Sequence, residues 1–176
     1  KEYTSARLRT LNKGDWLYGR IEVSAKIPTG RGTWPAIWML SSNWSYGGWP
    51  ESGEIDIMEH VGYDPNVIHG SIHTKAYNHT IGTQKSASLN IPNATSSYHT
   101  YAIEWFADRI DFYIDQYKYF TFNNENAGWQ KWPFDKRFHL ILNVAVGGNW
   151  GGVQGIDVNA FPARMEVDFV RVYKKD

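Results

Sequence analysis

Apolar and polar side chains alternate with a period of two along most of this chain. The pattern runs through Leu17–Ile27, Tyr101–Phe106, Arg109–Asp115, Tyr117–Phe122 and, most cleanly, Arg164–Tyr173. A period of two is that of a strand with one buried face. Turn-forming residues separate the alternating segments at Pro28–Gly30, Asn43–Gly48, Asp64–Asn66 and Gly147–Gly152. No amphipathic pattern of helical period interrupts them. Many short strands at this spacing predict an all-β protein, a sandwich of two antiparallel sheets of the jelly-roll kind. The Ser- and Asn-rich stretch Ser86–Ser97 reads as a surface loop. Neither an internal repeat nor a low-complexity linker divides the chain, so residues 1–176 read as a single domain.

A chain of 176 residues is long enough to bury a sizeable core. Its 18 basic and 18 acidic side chains cancel. That balance argues against nucleic acid or an anionic membrane as partner, because each leaves a basic footprint. No apolar run of the length of a transmembrane helix is present. The expected ligand is therefore neutral or weakly charged. Nine Trp, eleven Tyr and eight Phe are more aromatic residues than a core of this size asks for. An indole is large and its N–H needs a partner, so part of the Trp set is assigned to a binding surface, where flat rings match the apolar C–H faces of sugars. The absence of Cys excludes disulfides and thiol chemistry. Sequons stand at Asn43, Asn78 and Asn93. No signal peptide precedes the first strand pattern, so the chain reads as mature, trimmed or cytosolic.

Candidate chemistry concentrates in Trp49-Pro-Glu-Ser-Gly-Glu-Ile-Asp-Ile-Met-Glu-His60, where Glu54, Asp56 and Glu59 fall within six positions. On a strand, Glu54 and Asp56 share a face, and Ile55 and Ile57 take the other. Regular alternation would send Glu59 into the core with the isoleucines, at the high cost of a buried unpaired carboxylate. One extra residue, a β-bulge at Ile57 or Met58, returns Glu59 to the acidic face. The two Glu Cα atoms then lie about 13–15 Å apart. Their side chains reach inward toward the roughly 5–5.5 Å separation that a retaining glycosidase needs. This predicts Glu54 as nucleophile, Glu59 as acid and then base, and Asp56 as the hydrogen-bonding partner of the nucleophile. Mutual repulsion keeps one member protonated, as an acid at neutral pH requires. The competing readings are a solvated acidic face and a calcium patch. Against them stand the embedded isoleucines, the preceding Gly53, and the lack of any Lys or Arg between Ser41 and Lys75.

Gly53-Glu-Ile-Asp-Ile-Met-Glu59 resembles the bulged catalytic signature of glycoside hydrolase family 16. Thr4-Ser-Ala-Arg7, Tyr18–Val23, Gly32–Leu40, Tyr101–Trp105, Leu142–Gly148 and Met165–Tyr173 are similar to further blocks of that family, in its order. The motif and the Trp-Pro-Ala-Ile-Trp-Met-Leu block look most like laminarinases, which are endo-β-1,3-glucanases. The resemblance implies a concanavalin-like jelly roll with a concave cleft, a secreted or periplasmic location, a β-glucan polysaccharide as partner, and no cofactor for catalysis. Hydrolysis of mixed-linkage glucan or an agar-type galactan remains open beside it, as does a non-catalytic, lectin-like glucan-binding role. Family domains usually carry strands before the Thr-Ser-Ala-Arg block. The expectation is that those strands lie on a second chain or segment, were removed, or are absent from a minimal version of the domain. Relatives often have Arg where Ser24 stands, so one sugar contact is expected to be missing.

Substrate contacts are assigned to further residues. Trp49 leads into the acidic segment and borders the cleft. Trp34 and Trp38 share one face, which periodicity leaves open between cleft and core. Asn143 sits in an apolar strand where its amide needs partners, and Trp150 in the Gly-rich loop forms a rim. His73 reads as a cleft residue on the leaving-group side. His69, four residues earlier, and His60 make a metal site imaginable, but no His-Glu-x-x-His is present. By resemblance, Arg7 reaches the cleft floor and Trp105 joins the sugar contacts, although Trp105 shares its face with Ile103. The resemblance also implies a structural calcium on the far side, with Asp168 as its side-chain ligand.

Overall fold

A computed structural model describes residues 2–174. Twelve strands form two antiparallel sheets: β1 (Arg7–Arg9), β2 (Asp15–Trp16), β3 (Gly19–Lys26), β4 (Thr33–Ser41), β5 (Glu54–Glu59), β6 (Val67–His73), β7 (Lys85–Asn90), β8 (His99–Trp105), β9 (Arg109–Ile114), β10 (Tyr117–Asn123), β11 (Phe138–Val146) and β12 (Glu166–Tyr173). The larger sheet runs β1-β11-β4-β5-β6-β7, with β2 also paired to β11, and the smaller runs β10-β9-β8-β3-β12. The one α-helical turn among the described residues is Gly148–Gly151. The architecture is the jelly-roll sandwich that the alternation predicts.

Parity explains the layering. In β3, Ile21, Val23 and Ala25 face inward; β8 adds Tyr101, Ile103 and Trp105, and β9 adds Ile110, Phe112 and Ile114. The larger sheet answers with Ile37 and Met39 of β4, Ile55, Ile57 and Met58 of β5, and Phe138 and Leu140 of β11. Full burial of a side chain of this size contributes about 1.5–3 kcal/mol, so the two inner faces hold the sandwich closed. The outer face of the larger sheet is then free for other chemistry.

Two expectations need correction. Lys85–Asn90 is not loop but edge strand β7, paired with β6 from Val67↔Asn90 to Ile72↔Lys85. Its mostly exposed Ser and Asn side chains hide the strand signal, because an edge strand needs little apolar surface. Ser24 lies in β3 of the smaller sheet, between β8 and β12. That sheet lies behind the core from the carboxylates, so no sugar contact is lost at Ser24.

Candidate active site

The bulge in β5 builds the site. Against β4, Met58 pairs with Ile37 and Asp56 with Trp38, which leaves Ile57 as the extra residue. Against β6, Asp56 pairs with Ser71 and Glu59 with His69, so three steps on β5 oppose two on β6. Ile57 and Met58 are consequently both buried in the core, and Glu54, Asp56 and Glu59 all lie on the outer face. Gly53 sets the entry to this strand. Its φ of +84° suits glycine, and a Cβ there would meet Pro133 Cγ at 2.8 Å and Phe134 Cε1 at 2.9 Å.

Burial governs the electrostatics. Desolvation raises Glu54 well above the usual carboxylate range, and the charges of Asp56 and Glu59 push it further; His73 and hydrogen bonding from Trp49 oppose the rise. Asp56, only 2% exposed, is also raised well above its ordinary value by burial and by Glu59, with a hydrogen bond to Glu54 acting the other way. Glu59 is raised by burial, against a hydrogen bond from Trp34 and the nearby His73. The triad therefore holds protons at pH values where free carboxylates have lost them. Burial lowers His73, so its imidazole is neutral near pH 7, although the neighbouring glutamates favour its charged form.

Each glutamate thus has an indole beside it. Trp34 Nε1 donates to Glu59 Oε1 at 3.0 Å. The Trp34 ring meets the edge of Trp150 at 5.5 Å, and Trp150 meets His69 at 4.9 Å. Trp49, on the Glu54 side, packs on His79 at 5.0 Å and His73 at 6.0 Å. His73 Nε2 lies 3.3 Å from Asp56 Oδ2 and 3.9 Å from Glu54 Oε1. It stands on the Glu54 side of the triad, because Glu54 is its partner across β5 and β6. Farther along the face, Trp38 Nε1 donates to Asn143 Oδ1 at 2.7 Å, and the Arg7 guanidinium lies 4.7 Å from the Trp38 ring centre. Parity is resolved for Trp34 and Trp38: both face outward, toward the carboxylates.

Trp105 does not belong to this set. It is 0% exposed, donates to the Phe134 carbonyl at 3.1 Å and packs edge-on against Phe138 and Tyr18. Its alternation with Ile103 is the core signal that the resemblance had outweighed. His79 and Ser71 join the site unannounced; only the pairing of Ser71 with Asp56 identifies it, and a lone His79 in a loop carries no sequence signal. Among the described residues, one group of three or more side chains has the spacing to hold a metal ion: Glu54, Asp56 and His73, whose ligand atoms lie within 4.8 Å of one another. Asp168, exposed at a register shift of β12, is outside it. A calcium ion there would draw on one carboxylate, backbone carbonyls and water, short of the carboxylate set that tight calcium sites use.

A jelly roll whose outer sheet face carries two partly buried glutamates across a bulge defines a class, that of carboxylate-pair glycosidase scaffolds. The chain belongs to the glycosyl hydrolases family 16, whose profile matches residues 1–171. It is 56% identical to a beta-glucanase of Rhodothermus marinus over 99% of this chain and 63% of that protein. Identity is 39% to glucan endo-1,3-beta-glucosidase A1 of Niallia circulans, over 99% of this chain and 27% of that one. The X-ray structure of the laminarinase from Rhodothermus marinus superposes with a TM-score of 0.97 at 55% identity, covering 99% of this chain and 72% of that one. The chain thus spans less than two thirds of the length of either curated relative.

Proposed function

We propose that this chain carries out retaining endo-hydrolysis of β-1,3-glucan. The observation that carries the reading is the β5 bulge, which sets Glu54 and Glu59 on one face with buried Asp56 between them. Glu54 attacks the anomeric carbon while Glu59 protonates the departing glycosidic oxygen, so the C–O bond breaks as a glycosyl–Glu54 ester forms. Glu59, now ionised, takes a proton from water; the water oxygen displaces Glu54 and configuration is retained. Asp56, buried on the same face beside Glu54, partners the nucleophile and helps place its charge. Trp38, Asn143 and Arg7 supply a sugar-binding strip beside the triad, and the names of the relatives favour a β-1,3-glucan as its occupant.

A polymeric substrate of this kind is met outside the cytoplasm, so a secreted or periplasmic location goes with the reading. So does a structural calcium at Asp168: addition of chelator lowers Tm, and Asp168→Ala removes that response. The test of the activity is reducing-sugar release from laminarin, lichenan and agarose, with Glu54→Ser as control. Release from laminarin that the substitution abolishes, with glucan binding intact, supports the reading. Equal release by Glu54→Ser overturns the nucleophile, and binding without release by the unsubstituted chain leaves a lectin.

A further inference from the structure

Three loops converge beside Glu54: residues 42–53 between β4 and β5, 74–84 between β6 and β7, and 124–137 between β10 and β11. Where they meet, the rings of Tyr46 and Trp129 stack at 5.2 Å with an interplanar angle of 0°. A lysine lies over each ring. Lys136 Nζ lies 5.1 Å over Tyr46, and Lys75 Nζ lies 5.2 Å over Trp129. Both lysines are tied in turn. Lys136 pairs with Asp135 at 3.0 Å, the carboxylate that also accepts from Tyr46 Oη at 2.9 Å. Lys75 pairs with Glu51 Oε1 at 3.1 Å. Glu51 is two residues from Trp49. Ala76 N–H donates to the Gln130 carbonyl at 2.9 Å and joins the second loop to the third. Buried Ser52 closes the first loop on itself, accepting from Tyr46 N–H at 3.1 Å and donating to the Gly47 carbonyl at 2.6 Å.

We propose that the Lys136–Tyr46–Trp129–Lys75 stack positions Trp49, and through Trp49 the carboxyl group of Glu54. The proposal rests on the reading of Glu54 as nucleophile. None of the four stacked residues touches the triad; they are positioning residues for a loop whose tip reaches it. A stack of aromatic rings beside a glycan cleft invites a second reading, that of a sugar platform. A platform needs a free ring face, and here each ring is stacked on its partner and also has an ammonium 5.1–5.2 Å from its centre. The contacts that remain all tie the loop of Trp49 to its two neighbours. Individually they are weak, as exposed cation–π contacts and surface ion pairs are. Together they fix the backbone from Tyr46 to Ser52 on both sides of Trp49. The indole that this holds in place packs on His73, whose Nε2 lies 3.9 Å from Glu54 Oε1, and together they favour ionised Glu54 against burial and the two neighbouring carboxylates.

The test is a double-mutant cycle on Trp129 and Trp49, read by the pH profile of kcat/KM on laminarin. Trp129→Leu removes the stack; kcat falls roughly tenfold, as for loss of a hydrogen bond to a charged group, with KM changed far less. The acid limb, where Glu54 takes up its proton, moves to higher pH, in the direction that Trp49→Phe moves it. Trp129→Phe keeps a ring on Tyr46 and restores the wild-type profile. The double variant Trp49→Phe/Trp129→Leu is no worse than Trp49→Phe alone, because both act through the one indole. An unmoved acid limb in Trp129→Leu, or losses that multiply in the double variant, overturns the proposal. Where Trp129→Leu folds poorly, Lys75→Met unties Glu51 with the Tyr46–Trp129 pair left in place, and the same outcomes apply. In protein labelled with 15N-tryptophan, the Trp49 indole resonance shifts in Trp129→Leu and not in Trp129→Phe. That readout needs no turnover, so it tests the clamp even if the wild-type chain releases no sugar and the nucleophile reading fails.

Discussion

Trp34 holds Glu59 by a 3.0 Å hydrogen bond from its indole nitrogen, made from the neighbouring strand β4. The bond favours ionised Glu59 and offsets part of the rise that burial imposes. Removing the N–H therefore raises the Glu59 pKa further. Trp34→Phe keeps the packing against Trp150 and loses the donor. Its pH profile on laminarin should show the basic limb, where Glu59 loses its proton, displaced to higher pH. The rate at the optimum should fall roughly tenfold, the scale of one hydrogen bond to a charged group.

The triad also sets how stability depends on pH. A carboxyl whose folded pKa is raised contributes stability that is present below its unfolded pKa and lost as pH rises through the folded one. Glu54 is such a group, raised first by burial and then by Asp56. Glutamine does not titrate, so Glu54→Gln escapes the loss. Its Tm should match wild type near pH 4 and exceed it increasingly toward pH 8, by roughly 2–4 °C for each kcal/mol in a chain of this length. Calorimetry across that range decides it; a gain that is flat with pH would refute the burial argument.

Gly53 links the fold to the site, since it turns the chain into β5 immediately before Glu54. Gly53→Ala puts a methyl group within 3 Å of Pro133 and Phe134 at a φ of +84°. Strain and clash together should cost about 2–3 kcal/mol, a Tm lower by roughly 4–12 °C. Laminarin hydrolysis should fall at temperatures where the variant is still folded, because the shift is passed directly to the next residue.

The bulge was legible in advance because parity is unforgiving. Ile55 and Ile57 fix one face, and Glu59 can join Glu54 on the other only by an extra residue. The strands of the core were legible for the same reason. Edge strand β7 was not, because most of its side chains face solvent and only Ala87 and Leu89 carry an apolar signal. Nor were the partners of the glutamates. Trp34 lies 25 positions before Glu59, and no local pattern distinguishes an indole that donates to a carboxylate from one that binds sugar. Trp105 shows the converse: its alternation with Ile103 marked it as core, and the structure agrees. Where periodicity and family likeness disagreed about a single side chain, periodicity was the better guide, because burial is decided by parity.

The strip formed by Arg7, Trp38 and Asn143 should separate binding from chemistry. Asn143 Oδ1 accepts from Trp38 Nε1 at 2.7 Å, and Arg7 lies over the same ring at 4.7 Å. Asn143 is thus the anchor that sets the angle of Trp38, the strand partner of Asp56, and the indole nitrogen is spent on Asn143 and not on a carboxylate. In Asn143→Ala the indole loses its acceptor and Arg7 its fixed platform. An interaction that serves ground state and transition state alike raises KM and spares kcat. Asn143→Ala should therefore raise KM for laminarin roughly five- to tenfold, the scale of one hydrogen bond, with kcat within about twofold and the pH profile unmoved. A drop in kcat with KM unchanged would place Asn143 in the chemistry instead, and would require the strip and the triad to be treated as one unit.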